Sequence, residues 1–218
     1  MTSIAAPADV LAFWRAAGPD KWFAKDDGFD ASIRERFLAT YEAAAAGKLA
    51  AWEATPDGAL ALVITLDQFP RNMFRGEARI YSADPVARAV TGRAVSRGFD
   101  RGFPNPERQF FYLPFEHSED LGDQERCCAL FGAMGDAEST KWAEHHRDIV
   151  RRFGRFPHRN AMLGRQTTPQ EQASSTRAAS RAERRPFKLE RSAQRLVHPN
   201  VVNDFPRAWP RGTLSASW

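Results

Sequence analysis

ALALVITLDQFPRNMFRG, running from Ala59 to Gly76, settles whether this chain is built of helices or strands. Ala59 to Leu66 is apolar on every side, and periodicity alone fits a buried strand as well as a buried helix. Its polar continuation decides for helix: Gln68, Asn72 and Arg75 keep three- and four-residue steps, and no hairpin signal follows. In front of it, Thr55-Pro56-Asp57 supplies an N-cap, a first-turn proline and an acid favoured by the helix dipole. Pro70 must kink or restart this helix, because a proline ring in a helix interior collides with the preceding turn.

Outward from this stretch the spacing stays helical. Pro7 opens a segment with Val10, Leu11, Phe13 and Trp14 on one side, and Gly18-Pro19 stops it. Trp22-Phe23 sits in a polar loop whose rings are expected to tuck against the core. Asp30 is placed to cap a helix carrying Ile33, Phe37, Leu38 and Tyr41, with Gly47 as its stop. Ser82 caps a helix over Ala87 to Val95, stopped by Gly98; Pro106 to Phe115, Ser118 to Phe131 and Glu138 to Phe153 give three more. The expectation is an all-α chain of about seven helices joined by short links, arranged as antiparallel hairpins or an irregular bundle. No exact internal repeat occurs.

The 218 residues carry 31 Lys+Arg against 27 Asp+Glu, a net charge of +4 that is unevenly placed. Residues 1–165 hold 22 and 23, a net of −1, while 166–218 hold 9 and 4, a net of +5. The division predicts one helical domain over 1–165 and a basic, low-complexity, disordered tail over 166–218. A nearly neutral body is no polyanion binder, and Phe187, Phe205 and Trp209 are too scattered to make the tail a nucleic-acid arm, so no nucleic-acid partner is expected. The N-terminus lacks the basic start and apolar stretch of a signal peptide, and no window reaches a membrane span. Cys127 and Cys128 are neighbours without redox or zinc spacing. A cytoplasmic location with no membrane partner follows as the expectation. The sequence does not give the oligomeric state.

Three stretches place costly polar residues beside apolar ones. In TLDQFPRNMFRG, Asp67 and Arg71 stand four apart, as do Gln68 and Asn72, with Arg75 one turn beyond Arg71. They form either a solvated face or, because the row continues a wholly apolar segment, the lining of an interior site. In YLPFEHSEDLGDQ, His117, Asp120 and Gln124 share a face, and Glu116 and Glu119 lie three apart. His117 is either a hydrogen-bonded helix-start residue or a general acid/base. The His117-x-Glu119 pair is a weak metal signal, since side chains two apart on a helix diverge. In EHHRDIVRRFGRFPHRNAMLGR, His145, Asp148, Arg152 and Arg155 follow one stripe, with Arg159 and Asn160 in the turn after Pro157-His158. Arginines threaded among Phe, Gly and Pro are either a basic helix end or a forked anion site. Nucleotide loops, nucleophile elbows and the HExxH zinc motif are all absent, so no cofactor or metal is expected.

These stretches resemble the bacterial domain of unknown function 924 family. The likeness rests on VLAFW at Val10, Trp22-Phe23, FDASIR at Phe29, LDQFPRNMFRG from Leu66, LPFEHSED from Leu113 with Gln124, and RFGRFPHRN from Arg152. It spans roughly Val10 to Glu171 and implies an all-helical, tetratricopeptide-like fold, with no settled activity. The tail departs from the family, whose members continue Thr-Pro-Glu-Glu into an apolar Phe-Leu. Here Gln172-Ala173 gives way to Ser174-Ser175-Thr176-Arg177. Losing one T from codons for Ala-Phe-Leu-Asp-Ala yields Ala-Ser-Ser-Thr-Arg, so the chain after Ala173 is expected to be frameshifted read-through.

Three functional expectations result. In the first, a cleft binds a small anionic metabolite and works by acid/base chemistry. Arg71, Arg75, Arg152, Arg155 and Arg159 clamp the anion, and Asp67 and Asp148 orient them. Gln68, Asn72 and Asn160 read polar groups, Glu119, Gln124 and His145 complete the lining, and His117 or His158 moves protons. In the second, the same arginines make a tetratricopeptide-like scaffold for an acidic peptide. In the third, they form a buried network that fixes helix register.

Overall fold

The Ala59–Gly76 stretch is helical, and it does not run as one helix. In the computed structural model, which describes residues 3–174, α4 (Pro56–Val63) passes into a π turn over Ile64–Gln68 and restarts as α5 (Phe69–Met73). Thr55 caps α4 by accepting a hydrogen bond from the Gly58 amide at 3.1 Å. Gly58 is obligatory here, since a Cβ would lie 2.1 Å from the Trp52 carbonyl oxygen.

Before α4 come α1 (Pro7–Ala17), α2 (Pro19–Trp22) and α3 (Asp27–Ala45). After α5 come α6 (Asp84–Ser96), α7 (Leu113–Glu116), α8 (Leu121–Met134) and α9 (Ala137–Phe153), separated in places by 3-10 turns. The protein is all-α, and no strand occurs among the described residues. Seven expected helices become nine there, because the π turn separates α4 from α5 and because Pro19–Trp22 forms a short helix of its own.

Three local expectations are corrected. Asp26, not Asp30, caps α3, accepting from the Gly28 and Phe29 amides at 3.0 Å. Ser82 caps nothing; its hydroxyl donates to the Arg79 carbonyl and meets the Tyr41 hydroxyl. Pro106 to Phe115 is a 3-10 turn over Glu107–Phe111 followed by α7, since Pro114 belongs in a first turn and not in a helix interior.

Residues Gly58 to Met73 are all buried, and α4 packs against both α1 and α6. The first part of this segment, Gly58 to Val63, is covered on every side and apolar all round, which is why its pattern lacks a face. Beside it lies an aromatic cluster in which Trp14 meets Trp22, Phe69 and Phe110 at 5.5–6.0 Å between ring centres. Trp22 and Phe23 are both buried, and the Trp22 indole donates to the Trp14 carbonyl. Gly135-Asp136 joins α8 to α9, making an antiparallel hairpin against which α7 rests.

Residues 169–174 form a further helical turn, and Glu171 within it is buried. The frameshift expectation and the basic tail from residue 175 onward lie outside the described residues.

Candidate functional site

Proline 70 shapes the site without touching it. A regular helix through residue 70 would drive its ring into the carbonyl four residues back. The chain widens instead: the Phe69 amide bonds to the Ile64 carbonyl, five residues back. Such π turns are rare and recur at functional sites. This one carries Asp67 and Gln68 inward, 0% and 2% exposed.

Asp67 is the hub. His117, from the end of α7, places Nδ1 2.8 Å from Asp67 Oδ1, and the Gln68 amide donates to Oδ2. Arg71 brings Nη2 to 3.4 Å of Oδ1 while Nη1 donates to the Asp67 carbonyl at 2.8 Å. Burial alone would push the Asp67 carboxyl up; the charges of Arg71 and of the His117 ring outweigh it and hold the group below its ordinary value. His117 is also buried, and among the described residues its Nε2 makes no hydrogen bond.

Asp84, in the first turn of α6, bridges the two guanidinium groups of the centre. It accepts from Arg71 at 3.2 and 3.4 Å and stands 3.8 Å from Arg159. Arg159 donates to the His117 carbonyl at 3.0 Å and lies between the Tyr81 and Phe156 rings, 4.5 and 4.6 Å from their centres. Two arginines face two carboxylates, so these four charges balance and the His117 ring stands among them. Asp84 is its most exposed charged member, with 18% of its side chain accessible.

Of the residues singled out in the sequence, Asp67, Gln68, Arg71, His117 and Arg159 come together here. Asn72 and Arg75 turn to Asp30 on α3. Arg155 and Asn160 turn to Glu171, whose carboxylate also accepts from the Thr168 amide at 2.7 Å. The Arg155 guanidinium and the Thr168 amide hold the Glu171 carboxyl down at about 2. Glu119 accepts from the Phe156 amide and from Arg165, both at 2.9 Å. Gln124 is fully buried directly behind the His117 backbone. His145, Asp148 and Arg152 are exposed on α9, with Asp148 between Arg147 and Arg151 and not beside Arg152. His158 packs its ring on Phe156 at 5.5 Å.

The sequence reading missed Asp84, Asp30 and Glu171 as partners, and also the buried pair of Glu116 with His146 at 3.1 Å. Asp30, Asp84-Pro85 and the Thr168-x-x-Glu171 spacing each carry a signal in the sequence, but that signal is one of helix starts and not of arginine partners. Among the described residues no group of three His, Cys, Asp or Glu side chains is disposed to hold a metal, and no helix is long and apolar enough to cross a membrane.

Fold and site define an all-helical protein with a buried carboxylate–histidine pair flanked by arginines. Residues 10–177 match the family of bacterial proteins of unknown function called DUF924, and the chain belongs to that family. It is similar to a solved structure of a protein of unknown function from Agrobacterium tumefaciens. The two are 47% identical with a TM-score of 0.76, covering 78% of this chain and 97% of that one. A search of curated proteins gives no match.

Proposed function

We propose that this chain is a cytoplasmic enzyme of the acid/base type, acting on a small anionic metabolite with His117 as the group that moves the proton. The observation carrying this reading is the buried contact of Asp67 with His117. A carboxylate that accepts from Nδ1 sets the ring's tautomer and leaves Nε2 to exchange a proton with a substrate. Arg71 and Arg159 are already ordered, so an anion meeting them requires little reorganisation. Asp84 is the carboxylate that an incoming one would replace.

The remaining expectations have less support. His158 is packed on Phe156, so the proton-moving role rests on His117. Arg155, expected to hold a peptide carboxylate, holds Glu171. The tetratricopeptide-like scaffold draws on the α8–α9 hairpin. Arg75 and Arg155 act as register-fixing pairs around the proposed centre.

Thermal-shift screening of phosphate, sulfate and small mono- and dicarboxylates tests the reading on the parent, His117→Asn and Arg159→Met. At least one anion is expected to raise the parent's Tm and to raise that of both variants less. A panel in which every anion shifts His117→Asn as much as the parent sinks the proposal.

A further inference from the structure

We infer that Gln124 is a positioning residue for His117. The inference rests on the reading of His117 as the proton-moving group and adds how its ring is held.

His117 follows α7, which is only four residues long. Within so short a helix the Leu113 and Phe115 carbonyls accept from the His117 and Ser118 amides, and a single turn of this kind is not stable by itself. The backbone from Phe115 to Ser118 is fixed from outside. The Gln124 Nε2 group, reaching back from the first turn of α8, lies 2.6 Å from the Glu116 carbonyl, 2.6 Å from that of Ser118 and 3.3 Å from that of Phe115. The fourth carbonyl, that of His117 itself, accepts from Arg159. All four carbonyls on the segment carrying the imidazole are therefore held by two side chains.

The amide has one orientation available. Turned over, Oε1 would face three carbonyl oxygens, none of which can donate. In the orientation observed, Oε1 is buried and has no hydrogen-bond partner among the described residues. A buried acceptor left without a donor is costly. Glutamine serves here through its two N–H groups in spite of its oxygen, which a side chain serving only to fill space would not require. What the clamp secures is the angle at which Nδ1 meets Asp67 on the π turn.

Imidazole nitrogen NMR of the full chain, in the parent and in Gln124→Met, tests this. Methionine keeps most of the volume and removes both donors. Measured at a pH high enough that the imidazole is neutral, the parent is expected to show His117 as a single tautomer protonated at Nδ1. In Gln124→Met the two ring-nitrogen signals are expected to move toward each other as the tautomers mix. An unchanged His117 pattern in a folded Gln124→Met overturns the positioning role, leaving Gln124 a stabiliser only. A parent that lacks the Nδ1-protonated tautomer overturns the Asp67–His117 reading itself, so the two failures are distinguishable. Should Gln124→Met not fold, through-hydrogen-bond couplings in the parent decide. Couplings from Gln124 Nε2 to the Glu116 and Ser118 carbonyl carbons are expected, and their absence overturns the clamp.

Discussion

Asp67 Oδ1 and His117 Nδ1 stand 2.8 Å apart across fifty positions of chain, and both side chains are buried. Neither α4 nor α7 supplies this contact alone. It exists because a widened turn on one helix and a clamped turn on another face each other.

Asp67→Asn removes the charge that Arg71 and His117 share. Breaking a buried pair from one side leaves the other charge uncompensated, a loss of about 3 kcal/mol. Urea unfolding at neutral pH measures it. The sign with pH follows from the depressed carboxyl. Its contribution is complete above the ordinary Asp value of 3.8 and is lost as pH falls through the lower, folded-state value. Asp67→Asn should therefore flatten the acid limb of the stability curve, and an equally steep limb in the variant would contradict this assignment.

Glu171 gives a second acid-sensitive contact at the edge of the body. Its carboxyl falls from an ordinary 4.5 to about 2, chiefly through the Arg155 guanidinium. The contribution is present above pH 4.5 and disappears between 4.5 and about 2. Urea midpoints across that window should fall less in Glu171→Gln than in the parent. Hydrogen exchange at residues 169–174 should rise in the variant at neutral pH.

Gly58→Ala tests the close approach at the start of α4. The added carbon meets a backbone oxygen, not a flexible side chain, so the turn before α4 must shift. A loss of about 1–3 kcal/mol is expected, visible as a lower Tm. An unchanged Tm would mean that the contact relaxes freely.

Tyr112 donates to Asp100 Oδ2 at 2.7 Å, and burial together with that bond pushes its phenol well above its ordinary value. Ultraviolet titration should show one of the three tyrosines ionising last, and Tyr112→Phe should remove that late step. The variant is also expected to lose about 1–3 kcal/mol, since the Asp100 carboxylate stays behind with one donor fewer.

Much of the fold can be read along the chain because its signals are local. Thr55 caps α4 as its spacing predicts, Gly154 ends α9 in a left-handed conformation, and the apolar run from Ala59 is a buried helix. The Asp67–Arg71 contact is equally local, a four-residue step on one helical path. The partners of the other arginines are not local. Arg75 finds Asp30 forty-five positions away, Arg159 finds the His117 carbonyl at forty-two, and Arg155 finds Glu171 at sixteen. A run of arginines in sequence looks like free donors. Folding gives each buried guanidinium a carboxylate from another element, because an isolated buried charge is prohibitively expensive. Spacing shows that such charges must be matched without showing by which residue.

The π turn has one more consequence, for insertions and deletions. A turn closed over five residues holds one more residue than a regular helical turn. Deleting one position from Ile64 to Gln68 would restore ordinary winding, leaving the helix downstream in phase but removing the bulge that carries Asp67 inward. Asp67 would then leave its partner, while Arg71 and Asn72 would keep their faces. Pro70, whose ring tolerates no ordinary turn behind it, would oppose the same deletion. The length of this segment is therefore under two separate restraints, one steric and one chemical. Lineages that keep the Asp–His contact should vary in side chains here long before they vary in residue count.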